Sequence, residues 1–172
     1  MLISALPDSA YPPYYRTYIL AFGEGSLLDG LEKGRAEFLS FLDGVPPNKL
    51  SHAYALGKWT LAEVLVHIMD TERVFQYRAL CFARNDSTEL PGFDQDAYVP
   101  NSHANTRGLE DIKLEYKAVR DSSITLFRSF DRETLGRIGK ANGLSMGVGA
   151  LGFIISGHQA HHVGILRQRY LS

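Results

Sequence analysis

Between Thr60 and Arg84 the sequence has room for one local structure. Thr60 is followed three residues later by Glu63. That is the capping-box spacing, in which the Thr hydroxyl accepts from the Glu backbone N–H and the Glu side chain reaches back. Leu61, Val64, Leu65, Ile68, Met69, Val74, Phe75, Leu80 and Phe82 then continue the apolar pattern of an amphipathic helix. Asn85 and Asp86 stop it near Arg84.

Three further stretches have the same period. Ser26 is a plausible N-cap for a helix from about 26 to 43, striped by Leu27, Leu28, Leu31, Phe38, Leu39 and Leu42 and ended by Gly44, Pro46 and Pro47. A third helix is expected over about 109–130, and a fourth over about 145–170 with Ser145 as its N-cap. Gly147, Gly149, Gly152, Gly157 and Gly164 fall in that last segment. Each costs about 0.5–1 kcal/mol against alanine, so either a neighbouring backbone packs close or the helix end is loose. Four amphipathic helices with few alternating runs define an all-α four-helix bundle. Residues 1–172 read as one domain, in which the Pro- and Tyr-rich residues 1–25 form an extended surface arm. Residues 44–59 form a loop, and 131–142 a Gly-containing connector. The long loop 85–107, between the second and third helices, is long enough to cross the bundle or act as a lid.

Composition narrows the function classes. Eighteen Lys+Arg against nineteen Asp+Glu leave a net charge of −1, without the basic stripe of a phosphate-backbone binder, so no nucleic-acid partner is expected. No run approaches the roughly 18–20 apolar residues of a membrane span. The single cysteine, Cys81, excludes an internal disulfide and a Cys-based zinc cage, and reads as a small core residue. The N-terminus lacks the basic and apolar regions of a signal peptide, so a cytoplasmic protein is expected. There is no P-loop, no G-x-G-x-x-G and no Ser-His-Asp order.

The histidines remain. Three of six lie within Gly157-His158-Gln159-Ala160-His161-His162. Residues four apart on a helix differ by roughly 40° in direction, so His158 and His162 project together and can both reach one ion. His161 points about 60° to the other side and could replace His162 in an i,i+3 pair, but not readily join both. A third ligand must come from another helix. His67, on or beside the apolar stripe of the second helix, is the candidate. Three imidazoles leave an open position on Zn²⁺, Ni²⁺ or a similar divalent ion. A metal-bound water there has its pKa lowered to roughly 7 and serves as nucleophile or base. The alternative is a cluster of core histidines without metal.

From about residue 14 to the C-terminus the chain resembles the DinB-like (DinB/YfiT-like) family of four-helix-bundle, metal-dependent enzymes. The matching stretches are Lys58-Trp59-Thr60, His67-Ile68-Met69-Asp70-Thr71-Glu72-Arg73, Tyr77-Arg78-Ala79-Leu80, Leu90-Pro91-Gly92-Phe93-Asp94 and the histidine segment 157–162. The resemblance implies a divalent metal on His67, His158 and His162. It also implies hydrolysis or thiol transfer on a small molecule, a low-molecular-weight thiol as co-substrate in the second case, and a homodimer. A non-catalytic metal-binding or stress-response bundle, working through a dimer or partner face, is the alternative.

Other residues have a bland reading beside the functional one. Asp70 is either an acceptor that fixes an imidazole tautomer or a solvated helix charge. Asp94 and Asp96 read as turn residues before they read as lid residues facing the metal. Trp59 reads as a hydrophobic staple before a stacking platform. Glu72 and Arg73 are candidates for pairing with Arg78 or Arg120.

Overall fold

The computed structural model describes residues 1–172, and its capping box at Thr60 is complete. Glu63 N–H donates to Thr60 Oγ1 (3.2 Å), and Thr60 N–H donates to Glu63 Oε2 (2.7 Å). In chain order the elements are α1 (Arg16–Phe22), α2 (Leu27–Asp43), α3 (Leu61–Ala83), α4 (Gln95–Asn101), α5 (Leu109–Arg128), α6 (Arg132–Leu135), β1 (Ile138–Ala141), β2 (Leu144–Gly147) and α7 (Val148–Arg169). The four long helices α2, α3, α5 and α7 form the expected bundle. No helix is long and apolar enough to cross a membrane.

Helix α2 packs against α5 and α7, and α3 packs against the same two. Consecutive α2 and α3 therefore lie across the diagonal of the bundle. The segments that cross are 44–60 and 129–147. The long segment 85–107 joins two neighbours, α3 and α5, and is not the crossover that its length allowed.

Three local expectations are corrected. The N-terminal segment is not extended: it has three short 3₁₀ turns and then α1, which lies along α7. Residue 145 is not a helix cap but part of β2, which pairs antiparallel with β1 in a hairpin. Asn142 and Gly143, at the turn, have φ of 54° and 73°. These are the left-handed conformations that a two-residue Asn-Gly hairpin turn requires. Helix α7 accordingly starts at Val148, after the hairpin. Segment 85–107 is not a plain loop either: it contains α4, which Asp94 caps by accepting from the N–H groups of Asp96 (3.0 Å) and Ala97 (3.2 Å).

The glycines of α7 are explained by close packing at specific positions. A Cβ on Gly157 would lie 1.8 Å from the carbonyl oxygen of Tyr18, so α1 sits backbone to backbone on α7. Gly164 faces open space.

The core is two apolar clusters. One gathers Leu27, Leu31, Phe75, Phe82, Phe127 and the start of α7; the other gathers Phe38, Leu42, Leu61, Leu65, Ile112 and Leu166. Between them runs a buried polar belt to which all four long helices contribute. Arg120 donates to Glu72 through Nε (2.7 Å) and Nη2 (2.8 Å), and through Nη1 to the Leu31 carbonyl (3.2 Å). Tyr116 Oη donates to Gln159 Oε1 (2.6 Å), and Gln159 Nε2 donates to the Gly34 carbonyl (2.8 Å). Buried polar groups are tolerable only when paired in this way.

Candidate metal centre

The histidines lie on the same level of α3 and α7 as this belt. Helix α3 brings in His67, and α7 brings in His158 and His162 one turn apart. His67 and His158 are buried and His162 is half-buried. Nε2 of His158 lies 3.1 Å from Nε2 of His67 and 3.1 Å from Nε2 of His162. The three ligand nitrogens all lie within 4.8 Å of one another. His161 is outside this set; its ring packs on Tyr18 (5.4 Å) and His162 (5.3 Å).

No proton arrangement satisfies three such nitrogens. A neutral imidazole nitrogen either donates once or accepts once. His158 Nε2 therefore serves one of its two neighbours and opposes the other. Adding protons is no remedy, because burial disfavours the imidazolium. Burial holds His67 down to about 4 and, with the charges of His67 and His161, holds His162 down to about 3. Burial and the three neighbouring histidines hold His158 well below its ordinary value. A cation facing three lone pairs removes the conflict, and an all-imidazole set suits Zn²⁺, Ni²⁺ and related ions. The residues fit a divalent metal on donor chemistry and convergence alike.

Aromatic rings wall the site. Trp59 lies 4.9 Å from the His67 ring, and Tyr18 lies edge-on to His158 at 5.0 Å. Trp59 is held by its carbonyl, which accepts from Tyr170 Oη (2.8 Å). It also packs against the apolar cluster that contains Val64. The nearest polar support of an imidazole is Thr71, whose Oγ1 is 3.4 Å from His67 Nδ1. Asp70 does not take this place. Its carboxylate faces Arg73 (3.6 Å), and burial raises its pKa against the opposing charge of Arg73. Arg73 in turn pairs with Glu115 (2.6 Å), and Glu72 pairs with Arg120, so neither pairs with Arg78.

A cavity of about 400 Å³ reaches His158. Tyr15 and Tyr18 come from the N-terminal segment, Thr71 and Arg78 from α3, Phe93 from the 85–107 segment and Leu144 from the hairpin. The 85–107 segment thus lines the site, but Asp94 serves as a helix cap and not as a metal-facing carboxylate. It is pinned to the hairpin where Leu90 N–H donates to the Lys140 carbonyl (3.0 Å) and Asn142 N–H donates to the Leu90 carbonyl (2.9 Å). Sequence reasoning missed the tyrosines, Thr71 and Arg78. The dense tyrosines of residues 11–18 and the Asn-Gly pair were the available signals.

The fold and site define a four-helix bundle with diagonal connections and a three-histidine centre between two of its long helices. The sequence model of the DinB superfamily matches residues 30–166, and the chain belongs to that superfamily. Three solved structures share the fold. YfiT from Bacillus subtilis, described as a probable metal-dependent hydrolase with an unusual four-helix bundle topology, superposes with a TM-score of 0.67 at 17% identity, over 95% of this chain and 92% of its own. A DinB-like protein from Bacillus subtilis superposes with a TM-score of 0.59 at 15% identity, over 83% and 87%. The mycothiol-dependent maleylpyruvate isomerase superposes with a TM-score of 0.63 at 10% identity, over 84% of this chain but 59% of its own. No curated protein matches in sequence.

Proposed function

We propose that this protein is a metal-dependent enzyme that holds one divalent cation on Nε2 of His67, His158 and His162 and acts on a small molecule in the adjoining cavity, by hydrolysis or by thiol transfer. The observation that carries this reading is the unsatisfiable meeting of three Nε2 atoms, those of His67 and His162 each 3.1 Å from that of His158, which itself lines that cavity. A cation bound there lowers the pKa of a water or a thiol and polarises an electrophile. The chain's own residues do the rest. Trp59 and Tyr18 fix the planes of His67 and His158 and keep bulk water from the imidazoles. Thr71 accepts the Nδ1 proton of His67, which leaves Nε2 as the donor to the cation. The structural likeness to a hydrolase and to a thiol-dependent isomerase supports both branches of the reaction class. Turnover by metal-loaded protein on a panel of esters, amides and thiol-plus-electrophile pairs tests it. Activity lost on chelation and in His67→Ala is expected; no turnover anywhere at saturating metal contradicts the enzyme reading and leaves a non-catalytic metal-binding bundle.

A further inference from the structure

Two arginines are buried in this bundle, and only one has a counter-charge. Arg120 is fully enclosed and grips the Glu72 carboxylate. Arg78 is 3% exposed and forms no ion pair. Its guanidinium lies 5.5 Å from the Phe75 ring centre and makes one protein hydrogen bond, from Nη2 to the Pro91 carbonyl (2.9 Å). A guanidinium offers five N–H donors in a planar fork. Apart from their approach to the Tyr15 oxygen, the remaining donors of Arg78 find no protein acceptor, yet none is sealed away as a buried unsatisfied atom. They have the cavity, because Arg78 lines the same space as His158. Removing a charge from water without a partner is costly, so such sites are completed by an anion. Tyr15 stands beside the guanidinium: burial raises the pKa of its phenol, and Arg78 partly offsets the rise. The rest of the wall is mainly aromatic and apolar, with Tyr14, Tyr18, Phe75 and Phe93.

We infer that the small molecule of this cavity carries a carboxylate or similarly compact anion that seats on Arg78, with an apolar or aromatic body lying between Arg78 and His158. The inference rests on the proposed function only for the reacting end of the ligand; the anion seat is built by α3 and the 85–107 segment without the metal. It makes Arg78 the specificity-determining residue of the cavity. It also gives a physical role to the Leu90-to-Phe93 turn, which supplies both the Pro91 acceptor and the Phe93 wall.

The test is calorimetric titration of metal-loaded protein with benzoate and with its uncharged isostere benzamide. Benzoate is expected to bind about tenfold or more tightly than benzamide, the usual worth of a charge-assisted hydrogen-bonded pair. Arg78→Gln abolishes the difference, and Arg78→Lys retains part of it. Gln95→Glu, an isosteric change at another lining residue that leaves the Arg78 contacts intact, adds a competing negative charge and weakens benzoate alone. Chelated wild-type protein separates this proposal from the metal reading. Preference for benzoate that survives chelation supports the arginine seat even if the protein proves inactive. Preference that vanishes with the metal, or that persists in folded Arg78→Gln, overturns it.

Discussion

Single residues decide whether three imidazoles act as one site. His67 is the only member of the triad on α3, so in the proposed site His67→Ala would leave two ligands on one helix. Metal titration of that variant is expected to show at least a hundredfold weaker binding, taking about 10–100-fold for mere outer contacts as the lower bound. Wild-type affinity in the variant would remove His67 from the set. Protonation gives an independent check in metal-free protein. His67 and His162 titrate in the folded chain at about 4 and about 3, against an ordinary 6.5. The unfolded chain therefore takes up protons first as pH falls. The stability of the neutral folded form is complete above about pH 6.5 and is lost progressively down to about 4 for His67 and about 3 for His162. The melting temperature should fall across that window, and fall less in His67→Gln; equal slopes in the two proteins would contradict the burial of a neutral His67. The residue scale was partly legible in sequence. The i,i+4 spacing of His158 and His162 is a direct consequence of helix geometry. Arg78 and Tyr18 have no local signature, since each matters only through what another segment places beside it.

At the scale of elements, the contact of α1 with α7 positions Tyr18 against His158. The contact depends on Gly157, where a Cβ would collide with the Tyr18 carbonyl. Gly157→Ala must displace backbone and not merely a side chain. It is expected to cost about 1–3 kcal/mol or more in denaturant unfolding, and to loosen the Tyr18 wall. Gly164→Ala, into open space on the same helix, should instead gain about 0.5–1 kcal/mol. Similar effects at both positions would mean that α1 does not dock as described. Long periodic helices were legible because their caps and stripes are local, as Ser26 and Thr60 demonstrate. The N-terminal segment was not, because prolines mask a seven-residue helix whose stability comes from α7. The β1–β2 hairpin was masked by the helical pattern that follows it, although Asn142-Gly143 is a strong turn signal.

At the scale of the molecule, the polar belt ties all four long helices together on the level of the histidines. Glu72→Gln leaves Arg120 buried without its counter-charge and should destabilise the protein by about 3–5 kcal/mol in equilibrium unfolding. Replacing both residues by leucine should recover much of that loss; a single variant as stable as wild type would show that the belt carries no such load. Bundle architecture was legible from four stripes, but the diagonal order was not, since helix order depends on tertiary contacts and the longest connection joins neighbours. In the proposed function, α3 and α7 meet around one cation. Anomalous diffraction from untagged crystals grown with Zn²⁺ or Ni²⁺ tests it most directly. One ion per chain is predicted, at about 2.0–2.1 Å from Nε2 of His67, His158 and His162. An ion elsewhere, or a triad that stays metal-free at saturating concentration, would contradict the account.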